Sequence, residues 1–203
     1  MCKDVIIVGA GGHAKVIADI VKKSGDNLVG FLDDSKEVGS EFFDAFILGT
    51  VDSYMEFSEK MFIIAVGNNG IRETISKKLS GVSFYTAIHP TAVVGEGVSI
   101  GEGSCVMANA VVNPGASVGN HCIINTAAVI EHDNRIGDFT HISPAAALAG
   151  TVNVGERVHI GIGAKVKNNV TICPDVLVGA GGVVVKDISE SGTYVGVPVR
   201  KVK

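Results

Sequence analysis

The sequence predicts two unlike units in tandem: a small Rossmann-like α/β unit over residues 1–86, then an all-β left-handed parallel β-helix of hexapeptide repeats over 87–203. Three observations carry that prediction. The apolar run Asp4-Val5-Ile6-Ile7 leads into VGAGGHAKV, where Gly9, Gly11 and Ala14 form a G-x-G-x-x-A fingerprint. From residue 87 a six-residue period takes over. Finally, 26 Gly, 5% aromatic residues and no Trp accompany 46% apolar residues, so the core lacks large rings and has to be narrow or regular.

In the first unit, β-rich runs alternate with helical segments: DVIIV, a helix from about His13 to Lys23, then NLVGFLDD, AFILG, MFIIAVGNN and the helical IRETISKKL. This ordering is βαβ, which predicts a small parallel sheet with its ligand edge at the carboxyl ends of the strands. The unit has room for roughly one mononucleotide-binding half of a full dinucleotide fold.

The second unit divides into seventeen hexads, from AIHPTA at residue 87 to VVVKDI, and position two is Ile, Val or Leu in all seventeen. Position six is small or aliphatic in nearly all, Asn134 being the notable exception, and position three is Gly in seven. An inward aliphatic, an inward small residue two before it and a turn after it describe one flat side of a triangular coil. Three hexads close a turn, so residues 18 apart stack and the chain makes between five and six coils. A β-sandwich alternates with period two, and right-handed β-helices lack a strict hexad. The tail SGTYVGVPVRKVK then leaves the prism, with Pro198 marking an extended segment.

A formal net charge of -4, with basic residues gathered only at Arg200, Lys201 and Lys203, argues against nucleic acid as a partner. The first apolar run is broken at Gly9 to Gly12, too early for a membrane span or a signal sequence, so a cytoplasmic protein is expected. Cys2, Cys105, Cys122 and Cys173 show no C-x-x-C spacing and read as ordinary reduced thiols. His121, His132, His141 and His159 lack the H-x4-H pair of prism-type zinc hydratases, and no metal is expected.

The chemistry is expected at a corner of the prism. VIEHDN places Glu131, His132 and Asp133 together on one outward turn. An imidazole titrating near neutrality, with a carboxylate to fix its tautomer, has what a general base needs; a solvated charged corner is the bland alternative. His141 and His159 hold the first position of hexads 18 residues apart and stack outward, as a surface ladder or as part of a site. His121 and His89 read as structural or incidental.

The words GAGGHAKV, FLDD, GNNGIR, INTAAVIEHD, HISPAAALAG and YVGVPVRK, on a small Rossmann-like half joined to an unbroken hexad prism, resemble bacterial sugar acyltransferases of the sialic acid O-acetyltransferase type. Within that group the sequence is most similar to UDP-4-amino-sugar N-acetyltransferases of the bacillosamine type. The resemblance covers nearly the whole chain. It implies an acetyl-CoA-dependent homotrimer in which His132 is the general base, Glu131 and Asp133 orient it, and Asn125 and His141 line the reacting centre. It implies acetyl-CoA in a groove between neighbouring prisms, near His141, Gly150, Ile162 and Ala180. It implies a UDP-amino sugar on the small unit, at Gly11, Gly12, His13, Asp33, Asp34, Gly67, Asn68, Asn69 and Arg72.

A glycine turn at a helix N-terminus can hold the diphosphate of NAD or of a nucleotide sugar. The presence of a single mononucleotide half favours the nucleotide sugar. The expected reaction is direct acetyl transfer to the 4-amino group of a UDP-4-amino-4,6-dideoxy sugar. O-acetylation of sialic acid or another sugar hydroxyl, a non-catalytic nucleotide-sugar-binding trimer and a small oxidoreductase stand as alternatives.

Overall fold

The computed structural model describes residues 2–202; Met1 and Lys203, the last residue of the basic tail, lie outside the described residues. The first unit contains β1 (Asp4–Val8), α1 (Gly12–Lys23), β2 (Asn27–Leu32), β3 (Glu41–Phe42), β4 (Ala45–Gly49), a 3-10 segment (Val51–Phe57), β5 (Met61–Ile64), α2 (Asn69–Lys78) and β6 (Ser83–Phe84). The sheet order is β3-β4-β2-β1-β5-β6. Neighbours are parallel except β3 and β4. From β1 the chain builds outward through β2 and β4, then returns to pair β5 with the other side of β1. That reversal opens a crevice at the carboxyl ends of β1 and β5, the place where open α/β sheets bind ligands.

The β3–β4 hairpin was not expected from the sequence. Phe43 and Asp44 form its two-residue turn, both left-handed, with φ 45° and 60°. Such a turn normally announces itself with Asn-Gly or Asp-Gly, and here neither is present.

In the prism each hexad supplies a short strand, and every third strand pairs in parallel with 18-residue register, as in His141↔His159 and Val129↔Ala147. The walls hold six, six and five such rungs, in agreement with the expected five to six coils. From Val106 to Val184 every second-position side chain is buried, so the interior is a column of Val, Ile and Leu. The outward first-position residues give each wall its own character. The first wall carries Ala87, Cys105, Ile123, His141, His159 and Leu177; the second Val93, Val111, Val129, Ala147, Lys165 and Val183; the third Ser99, Ser117, Arg135, Asn153 and Thr171. Along the first wall, burial runs from complete at Ala87, Cys105 and Ile123 to exposed at Leu177, because the α/β unit packs over its early coils. The coil ends in a hairpin: Gly192–Gly196 adds in parallel to Val176–Val178, and Val199–Lys201 returns antiparallel.

Asn134, the polar exception at position six, is fully buried and fully used. Its Nδ2 donates to Glu131 O (2.6 Å) and Ala149 O (3.1 Å), and its Oδ1 accepts from Val152 N–H (2.8 Å). It ties the Glu131–Asp133 turn to the next coil. Replacing Asn134 with Ala leaves the buried Val152 N–H and the half-buried Glu131 and Ala149 carbonyls without this partner, and urea denaturation is expected to show a loss of about 2 kcal/mol.

Candidate active site

Two clusters of candidate residues lie apart on the single chain. The first is the corner between the second and third walls, where Glu131, His132 and Asp133 follow the strand Val129–Ile130. His132 Nδ1 lies 2.8 Å from Asp133 Oδ2. A carboxylate accepts, so Nδ1 carries the proton and Nε2 keeps its lone pair. Glu131 accepts from the His132 main-chain N–H at 3.3 Å. The bond to Asp133 raises the His132 pKa above its ordinary value; loss of hydration opposes it, and the nearby charges of Asp133 and Glu131 add to the rise.

Space for this pair comes from two glycines one coil away on either side. A Cβ on Gly150 would lie 2.5 Å from His132 Nε2, and one on Gly115 would lie 2.6 Å from Asp133 Oδ1. Gly150 is therefore the floor beneath the imidazole. Gly115 was absent from the sequence-derived candidates, although its 18-residue offset from Asp133 marks the position. The side chains of His132 and Asp133 are 60% and 63% exposed, so this corner is open on the isolated chain.

The second cluster lies where the first wall meets the α/β unit. His141 and His159 stack with centroids 4.6 Å apart, as expected, and both are half-buried, with the Gly67 main chain of the α/β unit beside His141, so they are not a fully exposed surface ladder. Asn125 Oδ1 accepts from Thr126 N–H (2.8 Å), which turns Nδ2 toward His141 Nε2 at 3.0 Å. An amide nitrogen donates, so His141 is the Nδ1–H tautomer. That Nδ1 is buried and has no partner among the described residues. Burial, then His159, pushes the His141 pKa down to about 3, and burial with Arg72 pushes His13 down to about 4. Both imidazoles are neutral near pH 7. Ser143 Oγ lies 2.8 Å from His159 Nε2. His121 and His89 are structural: His121 is buried between Phe84 and Phe139, and His89 Nδ1 accepts from Thr91 N–H.

The nucleotide candidates divide. A cleft at the carboxyl ends of β1, β2 and β5 is lined by Gly9, Asp33, Asp34, Val51, Val66 and Ile71, among others. Gly9 is required by its φ of +102°, whereas a Cβ on Gly11, Gly12 or Gly67 would meet nothing within 4 Å. The fold itself does not demand glycine at those three positions, and α1 begins there without a side-chain cap, its first N–H groups unclaimed by one.

Asp33 differs from expectation because both its oxygens are occupied within the protein. Oδ2 accepts from Ala10 N–H (2.7 Å) and Oδ1 from Ser35 N–H and Oγ (2.8 and 2.6 Å). Burial raises its pKa, but these donors outweigh it and hold the carboxyl below its ordinary value. It braces the glycine turn. Asp34 Oδ1 accepts from Val51 N–H, and its other oxygen has no donor among the described residues. Asn68 caps α2 by accepting from Ile71 N–H, and the side chains of Asn69 and Arg72 are bound to the prism.

Ile162 and Ala180 are exposed on the corner between the first and second walls, one coil apart, with Gly181 N–H donating to Ile162 O (2.8 Å). Gly150 lies on the other side of the second wall, so the expected acetyl-CoA residues do not form one surface on a single chain. Among the described residues there is no group of three or more His, Cys, Asp or Glu able to hold a metal, and no helix long and apolar enough to cross a membrane.

The family model of the PglD N-terminal domain matches residues 4–79. The acetyltransferase domain of PglB from Neisseria gonorrhoeae superimposes with a TM-score of 0.92 at 37% identity, covering 98% of this chain and 100% of that one. The chain belongs to the bacterial sugar N-acetyltransferases of the PglD and PglB type. Another family structure, PerB from Caulobacter crescentus in complex with CoA and GDP-perosamine, matches with a TM-score of 0.93 at 38% identity, over 100% of this chain and 99% of that one. UDP-N-acetylbacillosamine N-acetyltransferase of Bacillus subtilis is 41% identical over 112 residues. The chain spans about half the length of that curated relative, 52%.

Within this family framework the His132–Asp133 pair has a measurable property. Asp133→Asn removes the carboxylate that raises the His132 pKa, so an NMR titration of the imidazole C–H resonances is expected to show the His132 midpoint moving downward. An unchanged midpoint would mean that Asp133 does not set it.

Proposed function

We propose that the protein transfers the acetyl group of acetyl-CoA directly to the 4-amino group of a UDP-4-amino-4,6-dideoxy sugar, in the cytoplasm and as a homotrimer. The observation that carries the proposal is the imidazole of His132, held through Nδ1 by Asp133 and presenting a basic Nε2 above Gly150. It is supported by family membership and by the relatives named for UDP-N-acetylbacillosamine and for a complex with CoA and GDP-perosamine.

The substrate amine arrives as an ammonium and first gives one proton to solvent, leaving a neutral amine that still carries the proton His132 takes. His132 Nε2 removes a proton as nitrogen attacks the thioester carbonyl. The Gly150 N–H makes no main-chain hydrogen bond among the described residues and is placed to stabilise the oxyanion. The intermediate collapses by breaking the C–S bond, and the proton held on His132 returns to the leaving thiolate. No covalent acyl-enzyme is needed. In this reading the diphosphate lies on the bare Gly11–Gly12 turn and the first amides of α1, beside His13 and Gly67. The open oxygen of Asp34 accepts from the base. Asn125 fixes neutral His141 so that Nδ1–H donates into the reacting centre.

The characters of the walls support the trimer. The second wall is mostly aliphatic, unlike the polar third wall. With second walls turned toward a threefold axis, the His132 corner of one chain meets the Ile162 and Ala180 corner of the next, and that neighbour's His141 lies just beyond it. Closed symmetry makes three such sites. Gly150 and Ile162, separated on one chain, then face one another across the groove that holds acetyl-CoA.

Thiol release from acetyl-CoA with a panel of UDP-amino sugars, read together with product mass, tests the reaction; acetylation of only a hydroxyl would overturn the amine assignment. His132→Ala is expected to stay folded and lose about 100-fold or more in kcat. Co-assembled His132→Ala and His141→Ala chains are expected to regain part of the activity, because some mixed interfaces contain both intact histidines. Mixed trimers no more active than either single variant would place both residues on one chain's site, or remove His141 from it.

A further inference from the structure

Arg72, on α2, is 1% exposed and meets no carboxylate among the described residues; its side-chain bonds go elsewhere. Its five N–H groups all go to neutral acceptors. Nε–H donates to His121 O (2.8 Å), one terminal nitrogen to Val66 O (2.8 Å) and Gly67 O (3.2 Å), and the other to Asn69 Oδ1 (2.8 Å) and Phe139 O (2.7 Å). Asn69 in turn donates from Nδ2 to Arg157 O (2.9 Å) and Val158 O (3.1 Å).

The prism residues in this clamp form a file. His121, Phe139 and Arg157 hold the same slot of three successive coils, on the corner between the third and first walls, with φ of 53°, 58° and 56°. Their carbonyls accept no main-chain hydrogen bond among the described residues, so the coil leaves them unmet and α2 supplies the donors. The other end of the clamp is the loop entering α2. Val66 lines the nucleotide cleft, and the Gly67 main chain lies beside His141.

We propose that Arg72 is a positioning residue: by gripping the Val66 and Gly67 carbonyls together with those of His121 and Phe139, it sets the distance between the nucleotide cleft and the His141 coil. The inference rests on the reading above, in which the nucleotide binds the α/β unit and acetyl-CoA binds the prism. Arg72 touches neither ligand and acts through the loop. Lysine, with three donors on a point charge, cannot reproduce a planar five-bond fork.

The test compares Arg72→Ala, Arg72→Lys and Asn69→Ala with the wild type by calorimetric binding of UDP or GDP and of CoA, by kcat with the nucleotide amino sugar, and by thermal melting. Each half is expected to keep its ligand, with dissociation constants within about threefold, while Arg72→Ala loses about 100-fold in kcat from misplacement alone. Arg72→Lys is expected to recover part of that loss, and Asn69→Ala to lose less than Arg72→Ala. Wild-type kcat in Arg72→Ala would overturn the proposal. So would a fall in kcat matched by equal losses of both ligand affinities and of melting temperature, which is the signature of a purely structural role. If Arg72→Ala does not fold, unchanged kcat in both other variants overturns it. A wild-type protein that turns over no nucleotide amino sugar defeats the functional reading first, an outcome separate from any difference among the variants.

Discussion

Everything in the prism depends on residues 18 apart lying directly over one another. The register is held by main-chain bonds from coil to coil, such as Val129 N–H to Ala146 O and Ala147 N–H to Ala164 O, each 2.9 Å. A slip of one residue would turn Ile130 and Leu148 outward and empty the interior column. With the inward positions filled by one kind of side chain, the outward positions are free to differ. That freedom yields a wall that accepts the α/β unit, an aliphatic wall and a polar wall from one repeated unit.

The same register makes the His132 corner a product of three coils. Gly115 leaves room for Asp133, Gly150 leaves room for His132, and Asn134 fastens the turn to the coil that carries Gly150. None of these supports is adjacent to His132 in sequence, yet each is set by an offset of one coil or by the hexad itself. The histidine side chain is therefore exposed while its main chain is tied to the next coil, a combination that suits the proposed role of a base.

Much of this was legible beforehand, for a physical reason. A strict hexad has one structural solution, so the coil number, the inward column and the stacking of His141 over His159 could be read from spacing. The partial cover over that stack could not, because nothing local in HIS at residues 141–143 reports what packs against it. The β3–β4 hairpin was invisible because Phe43 and Asp44 adopt left-handed conformations without glycine. Asp33, Asn68, Asn69 and Arg72 entered as ligand contacts through the family resemblance, which carries no information on what each side chain meets inside the fold. The structure engages their side chains with the protein, and only tertiary neighbours decide which polar groups remain open.

The terminal hairpin has a consequence for the molecule as a whole. A parallel solenoid has two unfinished ends, each offering the N–H and C=O groups that its own next coil would use, and two such ends on different molecules are complementary by construction. Here the strand Val199–Lys201 runs opposite to every rung beneath it, so the last edge of the first wall no longer has the direction that another prism's opening coil requires. Reversing a single strand leaves the outer edge of the first wall mismatched with the opening edge of another prism, which closes one route to end-to-end stacking.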